Sequence, residues 1–268
     1  MTNTLIIPMD DAGTFANSKG GITVEDSYQV FYNQLNFREV FSERISILGI
    51  GLRIDESTPS IDVVAAKIQI WASTFTNSPS TLSAQRNRNW GSDRTLVFSG
   101  ENIRFKASRD LGNARNFQLQ LPFQTSFLYD RARGHLLLDV DTTGPYVGKD
   151  GYTDADSRGN AMVLKVRRSG FDNIIVPVGE VLQVSYVSIP SLQATLVTLR
   201  DLVLSFLAVE GETYLLEYKD GFASEKLWTT FTNIPAGVGR EVSLRAAATK
   251  ERQFFRVRIP DKPQFQTE

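Results

Sequence analysis

The sequence predicts an all-β protein that consists of two antiparallel β-sandwich domains. Three features predict this fold class. Apolar and polar residues alternate over short segments, clusters of Ser, Asn, Asp, Gly and Pro separate these segments, and a helical period is nearly missing. The best helical spacing lies in 191–202, but β-branched residues interleave its leucines, so we expect a linker helix or a strand there.

Residues 1–190 are predicted to form the larger, jelly-roll-like sandwich. Its strongest strand is 63–73, which has one apolar and one polar face. The apolar face is expected in the core and consists of Val64, Ala66, Ile68, Ile70 and Ala72. The polar face would meet solvent and consists of Lys67, Gln69, Trp71 and Ser73. Further strands are predicted at 4–8, 28–32, 43–54, 95–99, 116–121, 135–141, 161–168 and 181–188.

Glycines inside a predicted strand and long polar loops are further features of this domain. Gly49 and Gly51 lie inside the predicted strand 43–54 and indicate a bulge or a close backbone approach. The long loops are where a binding function would lie. Loops are expected at 10–21, 55–60, 74–93, 107–115 and 142–160.

The strand pattern restarts after a short interruption, which indicates a second domain. We divide the chain into a large domain (1–190), a linker (191–201), a small domain (202–260) and a polar tail (261–268). Several short strands in so small a domain are typical of an Ig-like or fibronectin-III-like sandwich. They are predicted at 203–208, 213–218, 228–231, 240–245 and 253–259.

Composition excludes several classes of function. The chain has 268 residues, 41% of them hydrophobic, and a formal net charge of −1. This charge argues against nucleic-acid binding and against a polybasic membrane-surface protein. The absence of Cys excludes disulfides, thiolate nucleophiles and cysteine-ligated metals. A single histidine, His135, cannot form a multi-histidine metal site within one chain.

Segments that would engage a membrane are not recognisable. A transmembrane helix needs about 18 or more apolar residues, and no such run occurs. The segment MTNTLIIPMDDAG lacks the basic start, apolar core and cleavage site of a signal peptide. We therefore expect no membrane span, and a secreted or cell-surface protein whose signal peptide is not part of this sequence.

Acidic residues cluster in the predicted loop 142–160. Asp150, Asp154 and Asp156 lie in VGKDGYTDADSRGN, and carboxylates in a flexible loop can bind calcium. The spacing is not that of an EF-hand, because Arg158 follows Asp156 and no Glu closes the loop. The alternative is a solvated turn in which these side chains bond to their own backbone. Calcium is the single cofactor that the sequence suggests.

Two tryptophans and an arginine are the candidate ligand-binding residues. Trp90 lies in the polar segment RNRNWGSDR beside Arg88, where it either stacks on a sugar ring or anchors the loop. Trp71 either belongs to a flat glycan platform or is covered by a loop or by the second domain. We expect an anchor at Trp90 and a covered Trp71, with Trp90, Trp71 and Arg88 as the contacts if a glycan binds.

No catalytic residue is predicted. A Ser-His-Asp triad would need His135, which shares a strand face with Asp139 but has no nucleophile beside it, so we expect a structural histidine with a hydrogen-bond partner. A glycosidase needs two facing carboxylates about 5 to 10 Å apart. Asp139 and Asp141 are close in sequence but fit no such motif. We therefore expect a protein that is not an enzyme.

Four motifs mark the small domain: Gly211-x-x-Tyr214-x-Leu216-Glu217-Tyr218, Trp228-Thr229-Thr230, Ile234-Pro235-x-Gly237-x-Gly239 and Phe254-Phe255-Arg256-Val257. With them the domain resembles a C-terminal β-sandwich of many exported proteins of environmental bacteria. In such a sandwich Tyr214, Leu216 and Tyr218 would point into the core, Trp228 would fill it, and the glycines would form a hairpin turn.

Three motifs mark the large domain: Tyr28-Gln29-x-x-Tyr32, Asn89-x-Gly91-x-Asp93 followed by Val97-Phe98-Ser99-Gly100, and Gly134-His135-Leu136-Leu137-Leu138-Asp139-Val140. They are similar to the ectodomains of bacterial proteins that carry PEP-CTERM-type sorting signals. The resemblance implies an exported β-sandwich protein. The sorting motif, anchor helix and basic tail of those proteins do not occur in this sequence, so it implies no membrane anchor here.

These features together predict a non-catalytic extracellular structural or adhesive protein of the cell surface. The segment TNTLIIP is expected to form an edge strand through which copies of the chain self-associate. A carbohydrate-binding module is the first alternative. A glycoside hydrolase on the same fold is the second and less favoured one.

Overall fold

The structure is a computed structural model that describes residues 2–8, 11, 15–16, 18–20, 27–40, 42–110, 113–149, 151–157, 163–169, 172–189, 193–196, 201–207, 213–220, 228–234, 241–247 and 253–258. Strands dominate these residues, and the helical elements among them are short 3₁₀ turns at Gln34–Phe37, Pro79–Thr81, Arg86–Asn89 and Arg131–Arg133. The strands are β1 (Asn3–Ile7), β2 (Ser18–Gly20), β3 (Ser27–Tyr32), β4 (Arg44–Leu52), β5 (Ser60–Phe75), β6 (Thr95–Ser108), β7 (Leu119–Asp130), β8 (His135–Lys149), β9 (Thr153–Asp156), β10 (Val163–Ser169), β11 (Asp172–Val176), β12 (Gly179–Glu180), β13 (Leu182–Ile189), β14 (Gln193–Leu196), β15 (Asp201–Leu207), β16 (Tyr214–Asp220), β17 (Thr229–Ile234), β18 (Glu241–Ala247) and β19 (Gln253–Arg258).

The all-β class is confirmed, because strands make up most of the described residues. The described strand pairs include antiparallel pairs in every sheet. The chain divides into two compact units between Val187 and Ser188. Residues 191–201, predicted as a linker, include β14, which pairs with β15 in the second unit. The predicted tail 261–268 lies outside the described residues.

Two sheets of the first unit enclose its core. The described strands form a four-stranded sheet in the order β1-β13-β4-β7 and a six-stranded sheet in the order β11-β10-β3-β8-β5-β6. Buried side chains from both sheets form one apolar cluster, in which Tyr32 and Leu138 of the six-stranded sheet join Ile47 and Phe127 of the four-stranded sheet. This arrangement is a β-sandwich, in which each strand turns alternate residues toward the other sheet.

The alternation along β5 changes at a bulge, and the predicted core face is partly wrong for this reason. Ile68 and Ile70 are buried as expected, but Val63 and Ala65 are buried in place of Val64 and Ala66. The pairing with β8 shifts register between Ala65 and Lys67. One extra residue at that point moves every earlier side chain to the opposite face.

The irregularity predicted from the glycines of β4 is confirmed. The register with β7 shifts between Ile47 and Gly49. A Cβ atom on Gly49 would lie 2.9 Å from the backbone oxygen of Leu121, a contact too close for any other residue type.

The predicted loop 142–160 is wrong over most of its length. β8 continues to Lys149, and Thr153–Asp156 forms β9. Thr142 and Thr143 pair with β5, which is long enough at 16 residues to bond with the whole of β8. The polar composition of the segment predicts a loop. The segment nevertheless forms strands, because its backbone groups bond to residues far away in sequence.

The second unit has two described sheets of three strands, in the orders β14-β15-β18 and β17-β16-β19. Leu204 and Phe206 of one sheet share an apolar cluster with Tyr214 and Leu216 of the other, as the motif predicted for the last two. Two expected core residues lie elsewhere: Tyr218 and Trp228 are only half-buried. A register shift between Leu216 and Glu217 turns Tyr218 toward Phe231, and Trp228 stacks on Arg256. The Ig-like form of this unit stays a prediction.

Candidate functional site

The candidate site is an open groove of about 460 Å³ on the outer face of the six-stranded sheet. We call it the Trp90 groove. Its walls come from two sources: strands β5 and β8, and the segment between β5 and β6. The lining residues are Trp71, Gln85, Arg86, Asn87, Trp90, Arg94, Asp139 and Asp141.

Strand register brings the first set of groove residues together. Trp71 of β5 lies opposite Asp139 of β8, and Asp139 lies opposite Gln29 of β3. Asp141 follows two positions later on the same strand, opposite Gln69. Because side chains alternate between the faces of a sheet, these residues all point away from the core.

The segment 76–94 folds back over the outer face and supplies the second set. Leu82 packs with Phe31, Phe75 and Leu137 in a small apolar cluster at one end of this face. Asn89 Nδ2 donates to Gln29 Oε1 over 3.0 Å in the interior. These contacts fix the 3₁₀ turn Arg86–Asn89 on the sheet, and the groove opens where this cover ends.

Two tryptophan rings enclose an arginine at the centre of the groove. The Cζ atom of Arg94 lies 4.4 Å from the ring centroid of Trp71 and 4.0 Å from that of Trp90. Both distances are within the range of favourable cation–π contacts. Trp71 is the inner ring and is half-buried, whereas Trp90 remains 45% exposed. The stack therefore presents an aromatic ring to solvent on a rigid base.

Asp139 accepts hydrogen bonds from Trp90, Arg94 and Arg86. Trp90 Nε1 donates to its Oδ2 over 2.8 Å, and Arg94 Nη2 donates to the same oxygen over 3.1 Å. Arg86 Nε donates to Oδ1 over 3.1 Å, and Arg86 Nη2 donates to the same atom. The side chain of Asp139 is only 4% exposed. Its negative charge is thus matched by two guanidinium groups, as a buried carboxylate requires.

Asp141 is the carboxylate at the open side of the groove. Its side chain is 41% exposed, and its Oδ1 lies 3.8 Å from Arg86 Nη1. Ser27 Oγ donates to the same oxygen. In contrast to Asp139, this carboxylate can meet a ligand.

The predicted ligand-binding residues have different places. Trp71 and Trp90 both line the groove, where Arg94 covers Trp71 and Trp90 serves as both anchor and exposed ring. Arg88 is exposed on the 3₁₀ turn but is not among the residues that line the groove. Sequence reasoning noted the two carboxylates on β8 but did not connect them to the tryptophans. Their two-residue spacing on one strand face was the signal that could have done so.

Asp154 and Asp156, two of the predicted calcium residues, are not among the residues that line the groove. Asp154 is in β9, where Arg53 Nε and Nη2 both donate to its Oδ2 over 2.6 Å and both side chains are fully buried. The backbone N–H of Ala16 donates to the same carboxylate. Burial raises the pKa of Asp154, and the Ala16 and Arg53 donors oppose that rise. Asp154 therefore already has a cationic partner.

The other two predicted ligands give no more support to calcium. Asp156 is buried in the same strand, and Asp150 lies outside the described residues. Within the described ranges, no group of three or more acidic or histidine side chains could hold a metal ion. Calcium stays a prediction on which nothing below depends.

His135 has the structural place expected of it. The backbone N–H of Gln34 donates to its Nδ1 over 3.1 Å, and its ring lies 4.7 Å from that of Phe31. Burial lowers the pKa of the imidazole. The hydrogen bond favours the neutral form, which alone has a ring nitrogen that can accept one.

Because comparisons with known proteins give no match, a function must be proposed from these structural features. No protein family matches the chain, and neither a curated protein nor a solved structure matches it. The described residues contain no helix with the length and apolarity needed to cross a membrane. The fold and the site define an all-β protein with a mixed aromatic and polar groove on one sheet.

Proposed function

We propose that this protein is a non-catalytic, exported β-sandwich protein that adheres to carbohydrate through the Trp90 groove. The observation that carries the proposal is the exposed Trp90 ring, which Arg94 and Asp139 hold in a fixed position beside polar side chains. Carbohydrate recognition needs this combination. A flat aromatic ring packs on the C–H face of a pyranose, and nearby polar groups bond to its hydroxyls.

The state of the carboxylates supports binding rather than hydrolysis. A glycosidase needs one carboxylic acid that gives up a proton and a second carboxylate that acts as nucleophile or base. Asp139 is almost fully buried and accepts bonds from Arg86, Arg94 and Trp90. A carboxylate that is buried beneath these donors cannot reach the oxygen of a glycosidic bond. Asp141 would then have no partner for acid–base chemistry in the groove.

The proposed location outside the cell rests on the sequence resemblance to exported bacterial β-sandwich proteins. The absence of Cys is compatible with it, because a domain of this size buries enough apolar surface to fold without disulfides. Detection of the native protein in culture medium or on the cell surface by immunoblotting would test this part of the proposal.

Replacement of Trp90 by Ala tests the binding function. We expect a glycan that binds the wild-type protein to bind Trp90→Ala at least about thirtyfold more weakly, since a central aromatic contact contributes about 2 kcal/mol or more. Isothermal titration calorimetry measures this change. The matched control is Trp228→Ala, because Trp228 also stacks on an arginine, with its centroid 4.2 Å from Arg256 Cζ, but lies in the second unit. Equal affinities of the two variants would contradict the proposal.

Self-association is a second candidate function, and one observation favours it. β1 lies at the edge of the four-stranded sheet within the described part of the chain, with β13 on one side. An edge strand offers unpaired backbone groups to a strand of another molecule. A protein that adheres to a surface and associates with copies of itself would combine both functions.

A further inference from the structure

We propose that the Trp90 groove selects neutral over acidic sugars, and that Asp141 is the residue that sets this preference. The inference rests on the carbohydrate-binding function proposed above and specifies its ligand class. Two observations carry it: the arginines of the groove donate to the buried Asp139, and Asp141 is the most exposed charged side chain in the lining.

The guanidinium groups are already used by internal partners. Arg86 Nε and Nη2 donate to Asp139, and Nη2 also donates to the backbone oxygen of Val140 over 3.1 Å. Arg94 Nη2 donates to Asp139, and the flat faces of Arg94 are covered by Trp71 and Trp90. Recognition of a uronate or a sulfate uses parallel donors of a free guanidinium fork. Here the Nε–Nη2 edge of Arg86 is occupied by Asp139, and Arg86 Nη1 lies 3.8 Å from Asp141.

Asp141 is more exposed than the other charged side chains that line the groove. Its side chain is 41% exposed, compared with 23% for Arg86 and 26% for Arg94. A half-exposed carboxylate accepts charge-assisted hydrogen bonds from sugar hydroxyls. The same carboxylate repels a second negative charge brought within a few ångströms, and such like-charge contacts suppress wrong partners. Neutral pyranoses gain the bonds, and acidic ones meet the repulsion.

The test begins with a glycan array that contains neutral, uronic-acid and sulfated glycans, followed by calorimetry with mannan and mannuronan oligosaccharides of the same linkage. We expect the wild-type protein to bind the neutral member at least about tenfold more tightly than the acidic one, equivalent to about 1.4 kcal/mol. In Asp141→Asn the neutral oligosaccharide should bind about tenfold more weakly, and the preference over the uronate should disappear. The control is Asp62→Asn, which makes the same change of charge at a half-exposed carboxylate of β5 that does not line the groove.

The outcomes separate this inference from the function on which it rests. Equal or tighter binding of the uronate by the wild-type protein would overturn the preference and leave carbohydrate binding in place. An undiminished preference in Asp141→Asn would overturn the role of Asp141. Binding of neither class, on the array or in solution, would overturn both the preference and the carbohydrate function.

Discussion

At the scale of single residues, the buried Asp139 orders the side chains of the Trp90 groove. Its two oxygens accept bonds from Trp90, Arg94 and Arg86, so these three side chains lose much of their freedom before a ligand arrives. A preorganised ring costs less entropy on binding than a mobile one. If the groove binds carbohydrate as proposed, its affinity therefore depends on a carboxylate that is 4% exposed.

His135 makes the stability of the first unit depend on pH. The folded state favours the neutral imidazole, since burial lowers its pKa, whereas in the unfolded chain the pKa is the ordinary value of about 6.5. The unfolded state thus binds the proton more readily. The contribution of His135 to the free energy of unfolding is full above about pH 6.5 and is lost as the pH falls through the folded-state pKa.

The variant His135→Gln tests this pH dependence. Glutamine keeps an acceptor oxygen for the N–H of Gln34 but does not titrate. We expect the drop in urea midpoint between about pH 7.5 and pH 5.5 to be smaller in the variant than in the wild-type protein. An equal drop in both proteins would show that other groups cause it.

At the scale of elements, the alternation of apolar and polar residues correctly predicts strand β5. It does not predict which side chains are buried before the bulge. From Ile68 onward the predicted core face is right, because no irregularity separates these residues from one another in the pairing with β8. Before the bulge it is wrong at Val64 and Ala66. A bulge depends on the partner strand, and the sequence of β5 alone contains no signal of it.

The segment that covers the outer face was predictable as a loop, but its position over the sheet was not. Its composition correctly indicated irregular structure between β5 and β6. The contacts that hold it on the sheet join residues far apart, such as Asn89 with Gln29, which are 60 positions apart. Local patterns contain no information on such pairs, so Trp71 and Trp90 were identified singly and their common arginine was not.

The edge strand β1 makes a prediction about assembly. If copies pair through this strand, the protein should show concentration-dependent association in sedimentation velocity, and Thr4→Lys should reduce it. Thr4 is exposed on β1, and a lysine on an edge strand opposes pairing with another chain. Thr143→Lys, at an exposed position of the inner strand β8, is the control for the added charge. A wild-type protein that stays monomeric at high concentration would exclude this second function.

At the scale of the first unit as a whole, Arg53 connects segments that are distant in sequence. Its guanidinium bonds to Asp154, which is 101 positions away, and donates to the backbone oxygen of Ala114. The rings of Phe15 and Phe117 lie 5.3 and 5.4 Å from its Cζ. The sequence predicts a solvated or calcium-binding loop at Asp154. A carboxylate of a buried ion pair cannot be distinguished from one in a polar turn when its cationic partner is unknown.

Loss of this ion pair should destabilise the first unit strongly. Asp154→Asn would leave Arg53 buried with one charge uncompensated, and removing one partner of a buried pair costs about 3–5 kcal/mol. Asp62→Asn breaks the pair that Asp62 forms with Arg104 at the surface and should have a much smaller effect, because solvent screens that pair. The free energy of unfolding in urea measures both. Similar losses in the two variants would contradict the structural role of the Arg53–Asp154 pair.

The most direct test of the account is an NMR titration of the protein, labelled with ¹⁵N at its three tryptophans, with a neutral oligosaccharide. The indole N–H of Trp90, which donates to Asp139, should shift as the sugar packs on the exposed ring, and that of Trp228 should stay in place. A titration that moves only Trp228, or that leaves all three indole signals unchanged at high sugar concentration, would contradict the claim that the Trp90 groove binds carbohydrate.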